Sequence, residues 1–544
     1  MPLKTPTLQS AISIGISLTS QDHPFLLTSL CFIAAAVVVY ATDRFALPAD
    51  ARRKYFQVRS RTRFIVENSA RLPVIALVFA FFFAISWRPV YAAHAVASYF
   101  VIFTAISRVK FAFIREPLLF SDIALVLDVF KYKTIFYATK FNIIFWILAG
   151  AYVFGVSALY MVFEPTVLPS RHKVFWVLFG CVGYIGLISL LFVKRVNQIA
   201  ANLSEALLVT LKVRPNTVRF GTFTSVILHF LVWLGKNRDT LVKEISEGLH
   251  RAIYELIDGE HHDAPLIIVW QSESFYDLRH LGDNQLELPT IDRLKKRAAQ
   301  SGRLTNVFEG GYTLRTEFAV LSGLKPEEVH VDASYPYLRA GHYAELAWPN
   351  KLLRNGWHTQ FIHPYDRTFF MRHKALPLLG FEHLTMLDEF DHQPTINDPY
   401  VSDYDLTHKV LKTIEDVDAD KPTFVFVASM ANHGPWETGR CEGLTEPVEI
   451  YRELLQRADD ALGTLVTALE VSERPVWLAF YGDHAPLLKS YADPFPDPRT
   501  DYLVVPLGTA GTNAGSKLNV REEAPWNLIE TILLHAKLYK ERFA

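Results

Sequence analysis

The feature that most constrains this chain is the separation of its apolar residues into two kinds of run. From Pro24 to Thr42 there is no charged residue, over about the roughly 20 residues that a helix needs to cross a bilayer core. That stretch is too long for a signal-peptide core and reads as a retained span. Further long apolar runs cover Leu72–Trp87, Ala92–Ser107, Asn142–Phe163 and Val174–Val193, several with Trp or Tyr near their ends as interfacial anchors. Five spans are expected. Charge is balanced, with Lys+Arg 55 against Asp+Glu 56, which argues against a nucleic-acid partner, since that needs a clustered basic excess. The three cysteines, Cys31, Cys181 and Cys441, are too few for a disulfide framework.

Two basic connectors, Arg52–Arg71 and Arg108–Lys140, separate the early spans. The positive-inside rule would place both in the cytoplasm, and with five spans the rest of the chain would stay there too. Phe220–Gly235 is a borderline sixth apolar run, short for a span and equally readable as a helix lying on the membrane surface. After about Lys236 the pattern changes to regular charges, strand-length apolar runs and Pro/Gly punctuation, as in an α/β domain. The expected division is a membrane domain over 1–200, a juxtamembrane connector over 201–262, its last part helix-like and charged from Asn237 to Gly259, and a soluble domain over 263–544.

Four short runs in the last region read as buried parallel strands closing on polar residues. Pro265–Trp270 leads to Glu273, Thr359–Ile362 to His363 and Asp366, Thr423–Ala428 to Asn432 and His433, and Val476–Tyr481 to Asp483 and His484. Helical patterns such as Tyr451–Leu469 alternate with them, which predicts a doubly wound sheet. Ligands in such sheets sit at the carboxyl ends of the strands. These acids and histidines would face one crevice, a donor set of mixed N/O character suited to a divalent metal.

Glu309–Phe318 (EGGYTLRTEF) carries a candidate nucleophile. Gly310 and Gly311 suggest a sharp turn, and Tyr312–Leu321 a helix, which puts Thr313 in its first turn where an anion is favoured. Thr313 can equally be a simple N-cap there. Arg315 and Glu317 either orient it or form a solvated surface pair. The stretch Gly508–Lys517 (GTAGTNAGSK) lacks the Gly-Lys-Ser/Thr order of a P-loop and reads as a flexible surface loop.

Glu273 in SESF, Thr313 in GYTLRTEF, His433 in NHGPW and Asp483-His484 in GDH occur in the order seen in membrane-anchored sulfatase-like transferases of the alkaline phosphatase superfamily. From about residue 263 onward the chain resembles lipoteichoic acid synthases and the phosphoglycerol transferases of periplasmic glucans. The resemblance implies a polytopic helical membrane domain followed by a sulfatase-like α/β domain with a mostly parallel central sheet. It further implies a divalent metal, manganese first, with zinc or magnesium as alternatives, held by Glu273, Thr313, Asp483 and His484. Thr313 would be the phosphoglycerylated nucleophile, and His433 would bind or protonate the phosphoryl group. Thr368–His373 looks like the glycerol-phosphate pocket, with Arg372 matching the family's arginine and Phe370 standing where the synthases have tryptophan.

The implied reaction moves glycerol phosphate from phosphatidylglycerol to an envelope glycan or a glycerol phosphate acceptor. The expected location is the bacterial cytoplasmic membrane with the catalytic domain outside and Phe220–Gly235 along the outer interface. That placement favours the family arrangement over the charge rule, because arginines near span ends can pair with lipid phosphates on either leaflet. The alternatives are a phosphoethanolamine transferase of the same superfamily, a sulfatase or phosphatase-type hydrolase, and a non-enzymatic membrane factor.

Overall fold

The computed structural model describes residues 23–55, 60–125, 131, 143–208, 210–249, 253–256, 264–305, 312–395, 397–492, 495–513 and 519–542. It divides into two compact units, one comprising Met1–Val126 with Tyr137–Lys236, the other Leu127–Phe136 with Asn237–Ala544.

The first unit is helical. Among the described residues four helices are long and apolar enough to cross a membrane, Pro24–Phe45, Arg61–Ser86, Pro89–Ala112 and Lys173–Leu190. The fourth apolar run, Asn142–Phe163, forms the helix Ile143–Phe163. Polar contacts tie the ends of these helices together. The Glu164 carboxylate accepts the Val90 and Tyr91 backbone N–H groups at 2.7 and 2.8 Å, satisfying the free donors of a helix start. At the other ends, Asp43 accepts from Arg71 at 3.1 Å and from the Thr222 backbone at 3.2 Å, and Arg108 donates to the Phe45 carbonyl at 3.1 Å. Both basic connectors therefore begin at one face of this unit.

The borderline run becomes the helix Thr222–Gly235 of 14 residues, roughly 21 Å long at 1.5 Å per residue, short of a ~30 Å core. It does not lie on a surface by itself. Thr222, Ser225, Leu228, His229 and Val232 are buried, and Gly235 sits so close to the helix Lys194–Leu207 that an added Cβ would meet Ala201 and Asn197 at 2.4 Å.

The second unit is built on an eight-stranded sheet. In chain order its strands are β2 (Leu266–Ser272), β3 (Gln300–Leu304), β4 (His358–Ile362), β5 (His383–Thr385), β6 (Thr423–Ala428), β7 (Pro475–Gly482), β8 (Thr500–Leu507) and β9 (Asn519–Val520). A separate antiparallel pair joins β1 (Ile253–Leu256) to β10 (Tyr539–Arg542). The predicted connector helix thus ends at Leu249, and part of that segment is strand. The spatial order β5-β4-β6-β2-β7-β8-β3-β9 is parallel from β5 to β7 and antiparallel across β8. All four strands read from the sequence lie side by side in the parallel part. Every residue of β2 and β6 is buried, as a parallel strand covered on both faces requires. On one face Ile268, Trp270, Val427 and Phe480 pack with Leu455, Leu462 and Leu465 of the amphipathic helix Pro447–Glu470. The Gly508–Lys517 stretch is not a loop where it is described, since Gly508–Asn513 is a short helix; residues 514–518 lie outside the described residues.

Candidate active site

Strands β2 and β7 run in parallel with Ser272 opposite Gly482, so Glu273 and Asp483 leave the sheet side by side. Gly482 is required for this. A Cβ there would lie 2.0 Å from the Phe275 carbonyl oxygen, a backbone contact that nothing can relieve. Ser274, at φ 50°, turns its N–H toward Asp483 Oδ1 at 2.7 Å, and the His484 N–H reaches the same oxygen at 2.8 Å. Asp483 Oδ2 is buried with no hydrogen-bond partner. Ser274 Oγ donates to Glu273 Oε1 at 2.8 Å, and Ser429 Oγ accepts the Glu273 N–H at 3.0 Å. His484 Nδ1 lies 3.0 Å from the Ala485 carbonyl, which makes it the donor and turns Nε2 into the site.

Charge accounts for the titration of this cluster. Burial alone would suppress a charge on His484, but Asp483 and Glu273 outweigh it and lift the imidazole to about 10. Burial, then Glu273, raises Asp483 to about 7. Burial also opposes ionisation of Glu273, yet His433 and His484 hold its carboxyl down at about 2. The donor atoms of Glu273, Asp483 and His484 lie within 4.8 Å of one another. An orphaned buried carboxylate oxygen costs about 1–3 kcal/mol or more, and two carboxylates that favour a proton on a histidine favour a cation in its place. The donor set fits a divalent metal.

Thr313 is the first residue of the helix Thr313–Ser322, and Tyr312 occupies the N-cap position, so the hydroxyl is not a cap. Its Oγ1 points at the cluster, 3.4 Å from Glu273 Oε2 and 3.5 Å from His484 Nε2. Both are long for hydrogen bonds. Gly310 and Gly311 lie outside the described residues. Arg315 and Glu317 are not a solvated pair; they are 3% and 0% exposed. Arg315 Nε donates to the Ser334 carbonyl at 3.0 Å, whereas Glu317 reaches the Arg372 guanidinium.

Not every predicted residue joins the metal cluster. His363 is buried between the Ala428 carbonyl at 2.9 Å and Arg372 Nη1 at 2.9 Å, and burial, then the Arg372 charge, holds it neutral, well below its ordinary range. Asp366 binds Lys131 at 2.9 Å and the Thr368 backbone at 2.7 Å. Arg372 spends three N–H groups on Glu317 and His363 of the five an arginine has. The two-pronged phosphoryl contact expected of it therefore shares the guanidinium with an acid already in place. Phe370, at φ 55°, lies with its ring 5.4 Å from the Arg372 guanidinium carbon. His433 Nδ1 is 2.6 Å from the Gly434 carbonyl and 3.2 Å from the Tyr400 hydroxyl, leaving Nε2 as the acceptor. Burial lowers its pKa.

Ser274, Ser429 and Asp403 were not recognisable from their local sequence as parts of this site. Asp403 begins the helix Asp403–Glu415, and burial lifts its carboxyl to about 7 against the hydrogen bond from Ser429.

The sulfatase family model matches residues 265–533. Over 531 residues the chain is 60% identical to the capsular polysaccharide biosynthesis protein RkpI of Rhizobium meliloti (strain 1021), covering 97% of this chain and 98% of that protein. The chain belongs to the sulfatase-like family. Its second unit is a sulfatase-like α/β domain with a mostly parallel sheet, and apolar helices precede it. Similar solved structures include a Streptococcus pyogenes phosphoglycerol transferase, GacH, in complex with sn-glycerol-1-phosphate, at 20% identity and TM-score 0.41 over 55% of this chain and 82% of that one. Another is the integral membrane lipooligosaccharide phosphoethanolamine transferase EptA of Neisseria meningitidis, at 11% identity and TM-score 0.49 over 95% of each chain.

Proposed function

We propose that this sulfatase-like protein is a metal-dependent phosphotransferase that moves glycerol phosphate from phosphatidylglycerol to an envelope glycan or glycerol phosphate acceptor through phospho-Thr313. The observation that carries the reading is a single hydroxyl at a helix start, 3.4 Å and 3.5 Å from two members of a buried acid–acid–imidazole cluster. The name of RkpI, a capsular polysaccharide biosynthesis protein, supports a glycan acceptor. We assign the membrane domain to 1–200, the connector to 201–262, and the extracytoplasmic catalytic domain to 263–544.

Glu273, Asp483 and His484, with Thr313, would hold the ion, for which manganese is the first candidate and zinc or magnesium the alternatives. When bound, a divalent ion lowers the pKa of a coordinated hydroxyl and offsets charge on phosphoryl oxygens. Thr313 sits where free helix N–H groups favour the incoming anion. Its Oγ1 attacks the donor phosphorus, forming one P–O bond as the bond to the diacylglycerol oxygen breaks, while the Thr313 proton passes to His433 Nε2 and from there to that leaving oxygen. The acceptor hydroxyl then attacks phosphorus, the bond from phosphorus to Thr313 Oγ1 breaks, and His433 takes the acceptor's proton and returns it to Thr313. Two N–H groups of Arg372 remain for the phosphoryl oxygens, and Phe370 walls the glycerol side.

The test supplies the manganese-loaded protein with vesicles containing either phosphatidylglycerol or phosphatidylethanolamine and measures diacylglycerol release. Release from phosphatidylglycerol alone is expected; release from phosphatidylethanolamine alone would make the protein a phosphoethanolamine transferase.

A further inference from the structure

Glu317 is fully buried, and its two oxygens collect four hydrogen bonds. Arg372 Nε and the Tyr337 hydroxyl donate to Oε1 at 3.1 and 2.5 Å, and Arg372 Nη2 and Gln271 Nε2 to Oε2 at 2.9 and 3.2 Å. Tyr481 in turn donates to the Gln271 side-chain oxygen. Apart from Tyr337, which lies in the short helix Pro336–Leu346, each member of this network sits beside a residue of the candidate site. Glu317 itself lies four residues after Thr313 on one helix, about one turn away. Gln271 lies on β2 two residues before Glu273, and Tyr481 on β7 two residues before Asp483. Arg372 follows Phe370 in the headgroup loop. Burial, then the Glu317 charge, drives the Tyr337 hydroxyl well above its ordinary range, as a proton held against an anion requires.

We infer that Glu317 is a positioning residue with two tasks: it sets the register of the Thr313 helix against β2 and the headgroup loop, and it neutralises Arg372 so that a phosphate group is held only weakly until it is replaced or released. The second task follows from geometry. A guanidinium gripped side-on by one carboxylate offers an arriving phosphate fewer donors and less net charge. The inference rests on the proposed function in taking Arg372 as the group that meets the phosphoryl oxygens.

The test uses the full chain in nanodiscs, loaded with manganese, with inorganic phosphate as the probe. Glu317→Gln is expected to keep its metal, to tighten phosphate binding about tenfold by unmasking a nearby buried charge, and to lower turnover about 100-fold through misplacement of the nucleophile. Adding Arg372→Gln should erase the gain in phosphate affinity. A folded Glu317→Gln protein that binds phosphate no more tightly than wild type, or that loses metal in parallel with turnover, overturns the inference. If Glu317→Gln does not fold, Tyr337→Phe serves instead. Removing one donor from Glu317 leaves more of its charge on Arg372, so phosphate binding should weaken about threefold; unchanged binding overturns the inference. These outcomes do not depend on donor lipid. Release from phosphatidylethanolamine, or activity surviving Thr313→Ala, would revise the proposed function and leave the phosphate measurements standing.

Discussion

Two clusters in the second unit offer the same kinds of ligand, and they differ in the cations around them. Glu273, Asp483 and His484 form the first, and Asp277, His280 and Asp501 the second. In the second, Arg279 binds Asp277 at 2.8 Å, Lys295 bridges Asp277 and Asp501 at 3.5 and 3.4 Å, and Arg303 reaches Asp501 at 3.5 Å. Burial raises Asp277, but Arg279 and Lys295 reverse that and hold its carboxyl below the ordinary range. Among the described residues the first cluster has no lysine or arginine hydrogen-bonded to it, and Asp483 Oδ2 has no hydrogen-bond partner, with only His484 Nε2 near it at 3.5 Å. Ligand type does not distinguish the two. The cations next to them do: Arg279, Lys295 and Arg303 already offset the second cluster's carboxylates, whereas the first has His484, a ligand itself, beside its two acids.

The sharpest way to break this comparison is to remove ligands from each cluster in turn. Asp483→Asn is expected to lose bound metal and to cut turnover by about 10³-fold or more, read by metal analysis and activity. Stoichiometric metal in that variant would contradict the assignment. Thr313→Ala should lower turnover about as far while its fold survives, since the hydroxyl is no cap and its two contacts, at 3.4 and 3.5 Å, are long for hydrogen bonds. Thermal unfolding and activity measured together check this.

A pH series separates the clusters more finely. Metal-free, Asp483 and His484 are both raised, to about 7 and about 10. The folded state then binds more protons than the unfolded chain, so the chelated protein should lose stability as pH rises from about 4 to 10. Glu273, held at about 2, contributes above its unfolded value and fails only in strong acid. Asp277 is lowered, so it should add no slope above about pH 5. Added metal should flatten the curve, because a bound ion replaces the protons, and metal affinity should rise with pH. Unfolding temperature measured with and without chelator decides this. The smallest effect belongs to Asp501→Asn, expected to keep metal and activity within about threefold and to destabilise by about 1–3 kcal/mol, read by denaturant unfolding.

The comparison also explains what could be read in the sequence. β2, β4, β6 and β7 were legible because buried parallel strands are continuous apolar runs, and the ligands follow them within a few residues. β3 (QSGRL) has no such run; Gly302 is there because a Cβ would meet the Arg521 carbonyl at 2.0 Å. β8 contains Pro506, which disguises it as punctuation. The partner of Glu317 is 55 residues away and that of Lys131 is 235 residues away. No local pattern encodes such pairs, and without them Glu317 reads equally as an orienting residue or as half of a surface pair. The same blindness made His363 and Asp366 look like metal ligands, since their real partners, Arg372 and Lys131, come from other elements.

The central claim is that the lipid headgroup passes through Thr313. The direct measurement is mass analysis of the Thr313 peptide after the manganese-loaded protein is mixed with phosphatidylglycerol isotopically labelled in its headgroup and quenched with acid. The account predicts labelled glycerol phosphate on Thr313, absent in Thr313→Ala and absent when the donor is phosphatidylethanolamine. Diacylglycerol released in amounts matching turnover, with no adduct on Thr313 under any quench time, would contradict it.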